Sequence, residues 1–236
     1  MMRILVHYPV LNAGGAERST LRLLSALAQR GCEVHLVLTA AGGRLEPEID
    51  SRVIVHHLRD TVGSFPARIS GIGNALRFVA SAMQWGWGRL QQTWRSRRFA
   101  AMRFDAAIAG LHGLSPSFIC ERVIARRRFV MVRNDAADDR RGKLARNIAR
   151  YRDRIDAYIC VSQSVLDSLV ALYPETAVKA VRIYNLIDPG MMRSAAIMGD
   201  NPFAGEPSGL RVLSVCRLQE SQKALLRMVE AHRRLL

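Results

Sequence analysis

The sequence predicts an α/β protein. It reads as a Rossmann-like parallel sheet with helices on both faces, followed by the first strand and helix of a second such domain. Three observations carry this. Short apolar runs rich in Val, Ile and Leu alternate with longer segments of helical period. Two adjacent glycines, Gly14 and Gly15, separate the first apolar run from the first helical segment. A stretch rich in Pro and Gly, 186–209, divides a long first region from a short last one. The expected boundaries are therefore a domain over 1–185, a linker over 186–209 and the start of a second domain over 210–236.

Each element follows from local pattern. RILVHYP (3–9) is a continuous apolar run, as a strand buried on both faces requires. In 16–30, Leu21, Leu24 and Leu27 recur at helical spacing and Gly31 stops the helix. EVHLVLT (33–39) and RVIVHHL (52–58) are two further strands, the second ending in His56 and His57, which are taken as structural. Residues 64–98 are mostly helical in pattern. DAAIAG (105–110) is a strand, with a helix expected near 115–126. RFVMVRN (128–134) is the next strand, and 136–152 a polar, basic helix. DAYICVS (156–162) is a strand whose Ser162 caps a helix over 163–172. KAVRIYN (179–185) closes the first domain, and a strand over 210–215 and a final helix open the second.

Composition bounds the function. Nearly half of the 236 residues are hydrophobic, enough for a large core. No apolar run approaches the roughly 20 residues of a spanning helix, and no signal-peptide pattern opens the chain. A cytoplasmic location is expected. Cys32, Cys120, Cys160 and Cys216 are widely spaced and form no C-x-x-C pair, so they read as reduced core thiols, and no metal site is expected. The formal charge is +15, and residues 59–154 hold 20 Lys and Arg against 7 Asp and Glu. Such a field suits an anionic partner: a membrane surface, a nucleic acid or a phosphorylated substrate.

Gly14 and Gly15 allow either a tight strand-to-helix turn or close approach of another molecule to a helix N-terminus, where phosphates are favoured. The pair is not G-x-G-x-x-G, so a dinucleotide site is weakly supported. Two cations, Arg217 and Lys223 in CRLQESQKA, lie where a strand gives way to a helix. His112 follows the strand at 105–110. Arg133, Asn134 and Asp135 follow the strand at 128–134, where Asn134 or Asp135 equally suits a helix cap and Asp138 and Asp139 a first helical turn.

Three fragments in order, GGAERSTLRLLSALAQRGCEVHLVLT, DAYICVSQSVLDSLVALYPETAVKAVRIYNLID and VLSVCRLQESQKALLRMVEAH, resemble the family-4 glycosyltransferases. The resemblance implies the GT-B fold of two facing Rossmann-like domains, this chain matching the N-terminal, acceptor-side domain and the start of the donor domain. It implies retaining transfer of a sugar from a nucleotide-sugar to an acceptor hydroxyl, with the nucleotide-sugar as substrate and no cofactor or metal. Gly14, Gly15, His112, Arg217 and Lys223 then match donor-binding positions. Arg133, Asn134 and Asp135 lie on the acceptor side, and Asn185 and Asp188 match a hinge segment. The family's glycines before the Arg and after the Lys are Cys216 and Ala224 here, and its hinge glycine is Leu186. Its paired glutamates, which contact the donor sugar and ribose, have no counterpart, so no general base or nucleophile is assigned and weak or no turnover alone is expected. A separately encoded donor domain is a possible partner.

All three tryptophans fall in the basic region 68–104. Trp85, Trp87, Trp94, Arg95, Arg97 and Arg98 suit a helix lying in an anionic membrane interface. They also suit a core helix with a solvated Arg face. No nucleic-acid motif is present, so nucleic acid is not an expected partner. The expected setting is the inner face of the cytoplasmic membrane, with a glycan or lipid-linked acceptor from cell-surface polysaccharide or lipopolysaccharide assembly. The alternative is a non-catalytic module that docks on a membrane or a partner.

Overall fold

The computed structural model describes residues 1–60, 72–139, 141–199, 214–216 and 224–234. They belong to two compact units, 1–187 and 188–236.

The first unit is built on seven strands: β1 (Arg3–Tyr8), β2 (Glu33–Leu38), β3 (Ile54–His57), β4 (Arg103–Ala109), β5 (Ile124–Val132), β6 (Ala157–Cys160) and β7 (Ala180–Arg182). All neighbours are parallel, in the order β3-β2-β1-β4-β5-β6-β7. The chain steps outward from β1 to β3, then returns to lay β4 on the other side of β1. That reversal makes this a Rossmann-like sheet and opens a crevice between the carboxyl ends of β1 and β4.

Side-chain alternation sorts the core into two layers. Ile4, Val6, Tyr8, Leu36, Leu38, Ile108 and Met131 face α1 (Gly15–Gln29), which lays Leu24 and Ala28 on them. Leu5, Val37, Ala107, Val130, Val132 and Tyr158 point the other way. They meet Phe99, Phe118, Leu144, Ile148, Val165 and Leu169. Burying a leucine as fully as Leu24 contributes about 2 kcal/mol, so the central strands read as unbroken apolar runs because both faces are covered.

Helix ends follow local chemistry. Ser162 accepts from the Val165 amide at 3.2 Å and starts α4 (Gln163–Leu172) as its sequence predicts. The helix expected over 136–152 is divided. A short 3-10 turn, Ala136–Asp138, is followed by α3 (Lys143–Tyr151), with Gly142 at φ 58° between them. Asp139 anchors α3 by accepting from the amides of Lys143 and Leu144 at 2.9 and 2.6 Å. Near 115–126 a π-helical turn, Phe118–Arg122, replaces the expected helix, and β5 begins at Ile124. Arg128 holds this turn by donating to the carbonyls of Ile119 and Val123.

Within 64–98, α2 runs from Ile72 to Ser96, and residues 61–71 lie outside the described residues. Its inward side is polar. Gln92 Oε1 accepts from both Arg59 Nε and Nη2, and Gln91 Nε2 donates to Asp60 at 2.6 Å. Two of the residues expected to face a membrane are drawn partly toward the protein. Trp85 turns to the same side as Gln92 and is half-buried, with the Arg89 guanidinium 5.4 Å over its ring. Arg95 is held by Asp60 at 2.7 Å. Trp87, Trp94, Arg97 and Arg98 do face outward, Arg98 lying over the Phe99 ring.

The second unit contains α5 (Pro189–Met198) and α6 (Leu225–Arg233). The stretch expected as a linker therefore carries a helix. Proline at its first position and the Asp188 carbonyl, which accepts from the Met192 amide at 3.2 Å, start it. Most of the strand expected over 210–215 lies outside the described residues.

Candidate functional site

The crevice lies where β1 and β4 end. Gly110, just past β4, donates to the His7 carbonyl at 2.9 Å. A Cβ there would stand 2.5 Å from Tyr8 Cδ2, so glycine lets the Tyr8 ring lie across the strand ends. Tyr8 is fully buried. Its hydroxyl makes no well-formed hydrogen bond, Thr20 lying near but outside hydrogen-bond geometry. Burial first, and then the Glu17 carboxylate, push the phenol up to about 12.

Arg133 is the hub beneath this floor. The sequence places it on the acceptor side as a ligand contact. It turns inward instead and is 9% exposed. Its Nε donates to the Gly110 carbonyl at 2.9 Å, Nη2 to Thr20 Oγ1 at 3.0 Å and Nη1 to Asn185 Oδ1 at 3.3 Å. Partners from three segments hold the guanidinium, so Arg133 braces the crevice from below. Ser19 Oγ also donates to Asn185 Oδ1, at 2.7 Å. The expected hinge residue Asn185 is thereby latched to α1 and to the end of β5.

Gly14 and Gly15 form the rim. Gly14 is extended, at φ −168°, a conformation any residue adopts. Neither glycine has a positive φ; the described ones that do are Gly31, Gly42 and Gly142. A Cβ on Gly15 would meet nothing within 4 Å, and one on Gly14 only the mobile carboxyl end of Glu17. The fold itself therefore does not require this pair to be glycine. The Glu17 carboxylate occupies the first turn of α1 and lies within electrostatic reach of Tyr8 and Arg133.

His112 stands on the loop after β4. Its Nδ1 accepts from the Arg133 amide at 3.4 Å, which leaves the proton on Nε2. Burial lowers its pKa, against the opposing pull of Asp139 and Asp138, so the ring is neutral near pH 7. Asn147 fixes the loop by donating to the carbonyls of His112 and Leu114. Asn134 and Asp135 are exposed beside it. Asp135 caps the 3-10 turn, accepting from Ala137 N at 2.9 Å and from Ser168 Oγ, and these bonds lower its pKa.

The structure thus brings together Gly14, Gly15, His112, Arg133 and Asn185, with Asn134 and Asp135 at the edge. Asp188 belongs to the second unit. Arg217 and Lys223 lie outside the described residues. Ala224, after Lys223, has a φ of 50°, the left-handed region that glycine enters freely. Sequence reasoning missed Glu17, Tyr8, Ser19 and Thr20. Glu17, three residues after Gly14, was the one with a usable signal, since acidic residues favour the first helical turn.

Among the described residues no cluster of His, Cys, Asp or Glu has the makings of a metal site. Burial raises the Cys120 thiol and pushes Cys160 up to about 11, so neither is an activated nucleophile. The chemistry on offer is hydrogen bonding to a polar ligand: a helix N-terminus with no side-chain cap bond, the Glu17 carboxylate beside it, a neutral imidazole N–H and an amide.

A family model described as Glycosyltransferase Family 4 matches residues 13–190. No curated protein matches the sequence. Two solved structures are similar over part of their length. One is Anabaena Alr3699/HepE in complex with UDP, at 15% identity and a TM-score of 0.47, the match covering 80% of this chain and 45% of that one. The other is apo UGT2 of Phytolacca americana, at 13% identity and a TM-score of 0.46, covering 85% and 55%. The chain spans about half the length of these two proteins.

Proposed function

Because the chain belongs to glycosyltransferase family 4, we propose that its crevice receives a nucleotide-sugar and an acceptor hydroxyl, and that the sugar passes between them with retention. One observation carries the assignment of the site: Gly15 faces open space at the α1 N-terminus, where a Cβ would meet nothing within 4 Å, and it has no positive φ that calls for glycine. What remains is room for another molecule against the α1 N-terminus. Its amides and partial positive charge suit the donor's phosphates. Glu17 adjusts that reading. A carboxylate at the same place suits sugar hydroxyls, so the sugar is expected beside Glu17 and His112, with the diphosphate further out.

In this reading His112 Nε2–H donates to a sugar hydroxyl. Arg217 and Lys223 hold the leaving diphosphate, whose charge grows as the bond to the sugar breaks. Asn134 and Asp135 meet an acceptor glycan or lipid-linked acceptor of cell-surface polysaccharide or lipopolysaccharide assembly, at the inner face of the cytoplasmic membrane. No metal is called for, since cations and helix amides neutralise the diphosphate.

The test is transfer of labelled sugar from a panel of nucleotide-sugars to membrane-extracted acceptors, comparing the wild type with Gly15→Val. A Cβ at Gly15 meets open space, so the variant is expected to fold, and its melting curve checks this. Transfer is expected to fall at least about tenfold, the scale of losing one well-placed contact to developing charge. Unchanged transfer in Gly15→Val would remove the crevice assignment. A wild type that binds no nucleotide-sugar and, with or without an added donor domain, neither transfers sugar nor releases nucleoside diphosphate would overturn the function.

A further inference from the structure

The outward pole of α2 is apolar. Val79, Met83, Trp87, Leu90 and Trp94 recur at helical spacing and fall on one stripe. All five are exposed, Met83 and Trp94 to 70%. The opposite side, which meets the protein, carries Gly88, Gln92 and Ser96. A helix covering a core in water does the reverse. The inversion is fixed by polar bonds: Gln92 holds Arg59, and Gln91 and Arg95 hold Asp60. Gly88 leaves room for the stem of Arg59, since a Cβ there would lie 3.3 Å from its Cδ. Rolling the helix to hide the stripe would break all of these contacts.

Charge indicates what meets the stripe. No acidic residue lies between Asp60 and Asp105, and that interval holds seven arginines. Arg97 lines the same hollow of about 500 Å³ as Trp87, Leu90 and Trp94. From Val79 to Trp94 the stripe runs about 22 Å along the helix. We propose that this face of α2 docks in the interface of an anionic lipid bilayer, with the five apolar side chains at the boundary of headgroups and acyl chains and Arg97 at the level of the phosphates. A lipid surface supplies apolar depth and negative charge in one plane, and tryptophan suits that boundary because its ring is apolar and its N–H polar. Arg59 and Asp60, which anchor the helix, follow the carboxyl end of β3, so the stripe belongs to the same edge of the sheet as the crevice. The docking surface does not depend on the sugar-transfer reading.

The experiment is flotation of the full chain with vesicles of phosphatidylcholine alone or with about a third phosphatidylglycerol. The wild type is expected to float with the anionic vesicles and to shift its tryptophan emission to the blue. The triple variant Trp87→Ser, Leu90→Ser, Trp94→Ser is expected to lose at least about tenfold in vesicle affinity. Arg97→Glu should weaken binding to anionic vesicles by about fivefold or more. Melting curves check that these exposed changes leave the fold intact. Wild-type failure to float, or equal binding by the triple variant, would overturn the proposal. So would a lipid-free dimer that the triple variant abolishes, because a second copy would then cover the stripe.

Discussion

Arg133 illustrates what a buried charge does when it is matched by acceptors from separate segments. Its guanidinium joins the loop after β4 through Gly110, α1 through Thr20 and the exit of β7 through Asn185. Burial lowers its pKa, partly opposed by Tyr8 and Glu17, yet no arginine releases its proton near neutrality. Arg133→Met keeps much of the volume and takes a donor from three acceptors, of which Asn185 Oδ1 keeps the Ser19 hydroxyl. Unfolding in urea is expected to show a loss of about 2–4 kcal/mol, the range for removing one partner from a buried charged network. Arg133→Lys should recover little, because one ammonium cannot reach partners arranged for a planar fork. A loss under about 0.5 kcal/mol in the methionine variant would mean that the brace is dispensable. Donor and acceptor affinities report separately on whether the crevice has moved.

At the scale of elements, α2 and α4 behave in opposite ways. The helix α4 follows its sequence: Ser162 caps it, and Val165 and Leu169 go inward. The helix α2 turns Gln92 inward and Leu90 outward. Gln92→Leu, which would improve an ordinary buried face, is therefore expected to destabilise. It leaves the Arg59 Nε and Nη2 groups without their acceptor, at a cost of about 1–3 kcal/mol. Leu90→Gln, on the exposed stripe, should stay within about 0.5 kcal/mol of wild type. Chemical denaturation of the two variants measures this, and the opposite ranking would contradict the inverted orientation. The contrast also marks what was legible in sequence. Strands β1 and β2, helix α1 and the Ser162 cap depend on neighbours within a few residues, and local pattern finds them. The π-helical turn at Phe118–Arg122 depends on Arg128 bonding back from the next strand. The inward turn of Arg133 needs partners more than 50 and 110 residues away. No local window holds those signals, so a surface position was the natural expectation. The glycine pair and His112 could be found by type and place, whereas Tyr8 and Thr20 look in sequence like ordinary core residues.

At the scale of the molecule, two imidazoles tie the parallel sheet to pH. His7, 2% exposed in β1, bonds Thr39 Oγ1 through Nε2 at 3.0 Å, and burial lowers it from 6.5 to about 3. His56 in β3 is less buried; burial first and then Arg98 lower it to about 4. Both are held neutral in the fold, while the unfolded chain protonates them near 6.5. Below that pH the unfolded state binds more protons, so their contribution is complete above 6.5 and is lost as pH falls toward the folded values. The slope approaches about 1.4 kcal/mol per pH unit for each fully expressed group, with His7 dominating because it is the more buried. Between pH 6.5 and 4.5 most carboxylates remain ionised, so this window separates the histidines from general acid unfolding. His7→Gln can keep a bond to Thr39 and cannot take up a proton. Urea midpoints at pH 7.5, 6 and 5 should fall steeply for the wild type and more gently for His7→Gln, the two curves converging toward the acid end. If both fall in parallel, the acid sensitivity lies elsewhere, and the net charge of +15 becomes its source. Added salt would then restore the midpoints by screening repulsion among the arginines, whereas it would leave a buried, proton-excluding histidine almost untouched.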